Sequence, residues 1–256
     1  MSLIATYQGV TDEKPVQKAI LLSDVTTLKT LYRRMRSDLL IVESDDISTP
    51  DISYAISSDG KYYTCNGGTY DGEFMPIKSL IDGVFVTRIG KSAFKDNSSF
   101  STLILPERLE TLSDKCFYDC NELNSMVFPK TLQYIGTSAF DGCSSLTSVV
   151  IPDSVTTLGA YAFSLCRRLT SVIIGNGVTS ISDSTFRHCN SLRRVTIGDS
   201  VTSIGAYAFS DCEQLTSITF AGTVAQWNAI TKDNNWKYDS PITKVICTGD
   251  NGQATA

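Results

Sequence analysis

The chain has 256 residues, 42% of them hydrophobic, with 22 Lys and Arg against 27 Asp and Glu for a net charge of −5. A chain of this length and composition buries a large core, and its mild acidity argues against generic binding to nucleic acid or anionic membranes, which both require a basic surface. No stretch approaches the roughly 18 apolar residues of a membrane span, so no membrane insertion is expected.

Residues 1–9 lack the basic and apolar regions of a secretory signal. Residues 1–51 read as a small N-terminal appendage. Apolar runs at 19–22 and 39–42 predict short strands; between them Leu28, Leu31, Tyr32, Met35 and Leu39 recur at helical spacing behind Ser23 or Asp24 as N-cap, which gives a β-α-β-like element. Its basic run Arg33, Arg34 and Arg36 is either a grip for an anionic partner or a solvated helix face, and 44–51 is polar enough for a linker or exposed loop. Residues 52–85 read as a cap: Tyr54, Ile56, Tyr62, Tyr63 and Phe74 alternate with turn residues at 58–60 and 66–68, as in hairpins.

From 86 to 221 the chain repeats. The pairs Ala93-Phe94, Cys116-Phe117, Ala139-Phe140, Ala162-Phe163, Thr185-Phe186 and Ala208-Phe209 follow one another at steps of 23 residues, six copies without an insertion or deletion. One copy cannot bury its apolar side alone, so equivalent residues must stack into a continuous core, with the phenylalanines as one column. Within a copy, Leu158 to Leu169 has the spacing of a short helical turn and Val172 to Ile174 alternates like a strand. Pro106, Pro129 and Pro152 and then Gly175 and Gly198 end successive strands, proline for want of a donor and glycine through unusual φ. The last coil, 222–247, is four residues longer and serves as a C-terminal cap: a helix at 226–230 lays Trp227 across the final phenylalanine, Trp236 does likewise, and 248–256 is a loose tail.

The repeat Val-Thr-x-Ile-Gly-x-x-Ala-Phe-x-x-Cys-x-x-Leu-x-x-Val-x-Ile-Pro resembles the BspA-like leucine-rich repeat family of bacterial surface antigens, over roughly two-thirds of the chain. The resemblance implies a curved solenoid with a binding or adhesion role at a microbial surface, and no catalytic residues to carry over. Many relatives are exported, and the absence of a signal in this chain leaves a virion-associated or cytoplasmic location open beside the cell surface.

Cys120, Cys143, Cys166, Cys189 and Cys212 are each 23 apart and form an interior column, with Asn97 in the first copy and Cys65, Cys116 and Cys247 outside it. They read as structural thiols rather than a disulfide framework; with no Cys-x-x-Cys and one histidine, His188, neither a metal site nor a cofactor is expected. His188 occupies a variable slot also held by Asp119, Gly142, Leu165 and Asp211, so no catalytic site is assigned. The candidate partner-binding residues lie on the sheet. The column Ile104, Val127, Val150, Ile173, Thr196, Thr219 should point outward beside the flanking column Thr102, Ser125, Ser148, Ser171, Arg194, Ser217. It is either a recognition stripe or a reflection of β-propensity. Arg167, Arg168, Arg193 and Arg194, with Arg187, make the fourth and fifth copies locally basic, as scattered solvated residues or as a dock for an acidic protein or anionic glycan.

The expected architecture is an α/β solenoid of the leucine-rich repeat type, right-handed, with a parallel sheet on one side, short helical turns on the other and caps at both ends. The expected function is non-catalytic binding of a protein or glycan. The alternatives are a structural component of a virion or surface appendage, self-assembling through residues 1–51, and an intracellular scaffold.

Overall fold

A computed structural model describes residues 51–69, 72 and 74–256; apart from Asp51, the appendage expected in 1–51 lies outside them. The described chain is a solenoid whose 19 strands, numbered along the chain, fall on two sides of each coil. The Leu-x-x-Val-x-Ile segments build the longer-stranded side. There β3 (Phe74–Pro76), β6 (Thr102–Ile104) and β8 (Ser125–Met126) form one sheet, and β10 (Ser148–Ile151), β12 (Ser171–Ile174), β14 (Arg194–Ile197), β16 (Ser217–Phe220), β18 (Lys244–Cys247) and β19 (Gly252–Thr255) form another. The Val-Thr-x-Ile segments build the second side: β1 (Asp51–Ile56), β2 (Tyr63–Thr69), β5 (Val84–Ile89), β7 (Thr111–Leu112), β9 (Tyr134–Ile135) and β11 (Thr157–Leu158), with β4 (Leu80–Ile81) on β5, followed by β13 (Ser180–Ile181), β15 (Ser203–Ile204) and β17 (Thr231–Lys232). Pairing between coils is parallel and in register, Val149 beside Val172 and Val172 beside Val195. Antiparallel pairs occur only at the cap strands β1–β2, β4–β5 and β18–β19 among the described residues.

The interior is built from columns. Phe94, Phe117, Phe140, Phe163, Phe186 and Phe209 are buried and stack nearly parallel, with centroids 5.3 to 5.7 Å apart. Burying each ring contributes about 1.5–3 kcal/mol before any gain from ring pairing. The five-cysteine column runs beside it as free thiols. Each thiol donates to the carbonyl of a phenylalanine one coil back, Cys120 to Phe94 at 3.0 Å and Cys166 to Phe140 at 3.3 Å. Cysteine therefore fills its slot as a small apolar group whose weak donor is satisfied.

The short helical turns expected beside these columns are not formed. An α-helix directs every N–H to its own chain four residues back. Here alternate N–H groups leave the coil: Ser92, Phe94 and Asp96 donate to Asp114, Cys116 and Tyr118 of the next coil, while Ala93, Lys95 and Asn97 close three-residue turns within their own. The pattern recurs through Tyr207, Phe209 and Asp211. Two positions per coil, four residues apart, take left-handed backbone, as at Tyr161 (φ 58°) and Leu165 (φ 57°), which an α-helix cannot contain. The fold is thus a β-solenoid, not α/β, and α1 (Val224–Ala229) is the one α-helix among the described residues.

The corner glycines also differ from expectation. Gly175 and Gly198 do not adopt positive φ. They are required by close approach: a Cβ on Gly175 would stand 2.7 Å from the backbone N of Asp153, and one on Gly198 would stand 2.4 Å from Asn176 Oδ1.

Each end of the described solenoid adds an antiparallel strand. β1 and β2 pair as the expected hairpin, turned at Gly60 (φ 71°). The glycines 67 and 68, read as a turn, instead lie inside β2, where Gly67 lets the strand pass against the carbonyl of Ala93. At the far end Thr223 and Gln226 form a capping box that starts α1. Trp236 meets the last stacked ring, Phe209, edge-on at 6.1 Å, whereas Trp227 packs on Phe220 and Trp236 instead of on the column. Nor is the end of the chain a loose tail. β19 pairs antiparallel with β18, and Trp227 Nε1 donates to Thr255 O at 3.3 Å, so the last parallel strand is not left open.

Candidate recognition face

On the longer-stranded side, from β10 to β18, the period-two alternation separates two sets of side chains. Val149, Val172, Val195, Ile218 and Val245 with Ile151, Ile174, Ile197, Phe220 and Cys247 are buried. The residues between them form two outward columns. One is Ser148, Ser171, Arg194, Ser217, Lys244, and the other is Val150, Ile173, Thr196, Thr219, Ile246. Ile173 is 47% exposed and Ile246 39%, while Val150, Thr196 and Thr219 are half-buried. Ile246 is missing from the expected column because the last coil is longer, which displaces it from the 23-residue count. Ile104, on β6, and Val127, just after β8, are half-buried and belong to the N-terminal part of this side, so the six-residue stripe is not continuous.

Arg167, Arg168, Arg193 and Arg194 are all exposed and share the corner that leads into β12 and β14. The backbone brings them together: Ser191 N–H donates to Arg167 O at 3.2 Å, and the N–H groups of Arg193 and Arg194 both reach Thr170 O, at 3.0 and 3.2 Å. Among the described residues, none of the four guanidinium groups has a hydrogen-bonding, ion-pair or ring partner. At the other end of these strands stand exposed Asp153 and Asp199, joined through Asn176: Asn176 N–H donates to Asp153 Oδ1 at 2.8 Å and Asp199 N–H to Asn176 Oδ1 at 3.2 Å. Four strand residues at about 3.3 Å each separate a cationic corner from an acidic one.

Arg187, counted with this group by sequence, belongs elsewhere. It lies on the turns, with Nε 3.6 Å from Asp211 Oδ2 and its guanidinium 5.7 Å from the Tyr207 ring. His188 Nδ1 approaches the same carboxylate oxygen at 3.5 Å, from the slot that is left-handed in every copy, here with φ 57°. Ser210 is buried and its hydroxyl donates to Asp211 at 2.7 Å, to the carboxylate rather than the imidazole. This arrangement braces neighbouring turns.

Burial pushes the thiols of Cys120 and Cys212 up to about 12, and those of Cys143, Cys166 and Cys189 well above the ordinary thiol value, so they stay protonated at neutral pH. A shallow groove of about 780 Å³ crosses β13, β15 and β17. Its lysine, Lys232, is lowered by burial and committed to the carbonyls of Trp227 and Ile230 at 2.7 and 3.1 Å. No helix among the described residues is long and apolar enough to cross a membrane.

The fold recurs in solved bacterial structures. A leucine-rich repeat protein of T. pallidum aligns over 76% of this chain and 98% of its own at 24% identity and a TM-score of 0.56. One from Eubacterium ventriosum covers 78% of this chain and 54% of its own at 22% identity and 0.59, and the pneumococcal vaccine antigen PcpA covers 75% and 48% at 21% identity and 0.54. Among curated proteins none matches. Six copies of the BspA type leucine rich repeat region match residues 77–193 and 110–231, more than half of the chain, which with its 23-residue coils therefore belongs to the BspA-type leucine-rich repeat family.

Proposed function

We propose that the chain is a non-catalytic recognition module that docks a protein or glycan partner on the outward face of β10 to β18, at a cell surface. The observation that carries this reading is that face itself: in-register strands present exposed Ile173 and Ile246 beside four unpaired guanidinium groups. Large exposed aliphatic side chains and arginines without partners add nothing to the solenoid's own stability, and both are typical of interaction surfaces. Screening the full chain against arrays of glycans and extracellular proteins should yield a partner whose binding is weakened by Ile173→Asp and by Arg194→Glu but not by Tyr161→Ala, whose side chain lies on the turns. Undiminished binding in the first two variants would move recognition off this face.

A second reading is favoured by residues 1–51, which do not share the repeat. In it they join the chain to a larger assembly, with the solenoid as the recognition arm. Light scattering on the full chain and on residues 52–256 tests it: association lost with the shorter chain supports the assembly role, and equal behaviour removes it.

A further inference from the structure

We infer that the partner of this face is a protein segment bearing carboxylates beside aliphatic or aromatic side chains, held at the corner leading into β12 and β14; the inference rests on the reading of β10 to β18 as the recognition face. In a chain of net charge −5, four exposed arginines on two adjoining coils are a local exception. On the turn side of the same coil, by contrast, Arg187 is paired with Asp211. At this corner the guanidinium groups keep their planar donors, which match a carboxylate two bonds at a time. Lys244 extends the cationic column two strands further along, past Ser217.

The apolar neighbour decides between anions. Arg194 and Thr196 lie on the same side of β14, and Thr196 is paired with Ile173 of β12. A docked anion therefore lies within two residues of an isoleucine that is 47% exposed. A sulfated polysaccharide satisfies the arginines but offers few apolar groups to cover Ile173. A peptide with acidic and apolar side chains in close sequence satisfies both. The acidic residues Asp153 and Asp199 at the far strand ends repel the same carboxylates, so the ligand is confined to the basic corner and its charged side is oriented.

The test uses the immobilised full chain and three probes: a glutamate–tyrosine copolymer, poly-L-glutamate of equal length, and heparin. The expected order is copolymer over poly-L-glutamate, with salt weakening both. The double variant Arg168→Glu/Arg194→Glu should lower copolymer affinity at least tenfold, and Ile173→Asp should erase the preference over poly-L-glutamate. Circular dichroism melts confirm that these exposed-site variants fold. Tightest binding by heparin, abolished by the arginine variants and indifferent to Ile173, overturns the protein-segment assignment while leaving the face in place. Binding of no probe overturns the anionic partner class. Copolymer binding lost instead with Arg187→Glu, and retained in the double variant, overturns the face itself.

Discussion

The longer-stranded side of the solenoid changes character along its length. In its N-terminal part β3, β6 and β8 hold three, three and two residues, and in its C-terminal part β10, β12, β14, β16 and β18 hold four each. The corner residue explains much of the difference. Gly175 N–H donates to Ile151 O and Gly198 N–H to Ile174 O, both at 3.0 Å, which adds a rung to each ladder. At the equivalent positions Pro129 and Pro152 have no N–H to give. Phe128 is a further difference: its ring lies 5.7 Å from Phe140 and 6.5 Å from Phe163, where the next three copies place isoleucine, although Phe220 fills the same position in the four-residue β16. The interior stack runs through both parts with little change of spacing, so outer-sheet regularity and core continuity are independent properties of this fold. The regular part is also the one that carries Ile173 and the arginine corner.

Breaking the shared stack should affect both parts together. Phe163→Ala removes the ring stacked between Phe140 at 5.3 Å and Phe186 at 5.7 Å and is expected to cost about 3–5 kcal/mol in a denaturant melt, with one transition for the whole solenoid. A second, separate transition would show that the parts unfold independently. Gly175→Ala tests the C-terminal corner alone. Its Cβ would press on the backbone of Asp153 at 2.7 Å, so a loss of about 1–3 kcal/mol is expected, and a neutral result would mean that the coils can separate. Leu165→Gly relieves a left-handed position that Gly142 already fills in the preceding copy; a gain of about 0.5–1 kcal/mol should appear as a higher melting temperature. Pro129→Gly has the smallest expected effect on stability. It exchanges about 1 kcal/mol of chain stiffness for one hydrogen bond of similar worth, and the informative readout is slow exchange of the amide that the substitution introduces at this position, as a rung to Leu105 requires. Fast exchange there would show that restoring the donor does not by itself regularise the N-terminal part.

Several features were legible because they depend on counting. Equal steps of 23 residues place like on like when coils stack in register, so the phenylalanine and cysteine columns, the buried Val and Ile positions and the outward positions of Val150, Ile173, Arg194 and Thr196 follow from spacing alone. Ile246 escaped because its coil is four residues longer, although its alternation with Val245 and Cys247 was a usable signal. Arg187 was grouped with the other arginines because proximity in sequence does not reveal which side of a coil a residue occupies.

What the sequence determined by itself is the repeat, its family and the division of each copy into buried and exposed positions, since apolar residues at fixed intervals have only one way to be covered by their neighbours. The tertiary structure decided the turn conformation, the fate of the C-terminal residues and the gathering of four arginines at one corner. In each case the deciding partner belongs to another coil. The Ala-Phe segments have helical spacing but give alternate N–H groups to the next coil, and residues 252–255 become a strand because β18 has an open edge for them to close. Neither partner is visible in the spacing of a single copy.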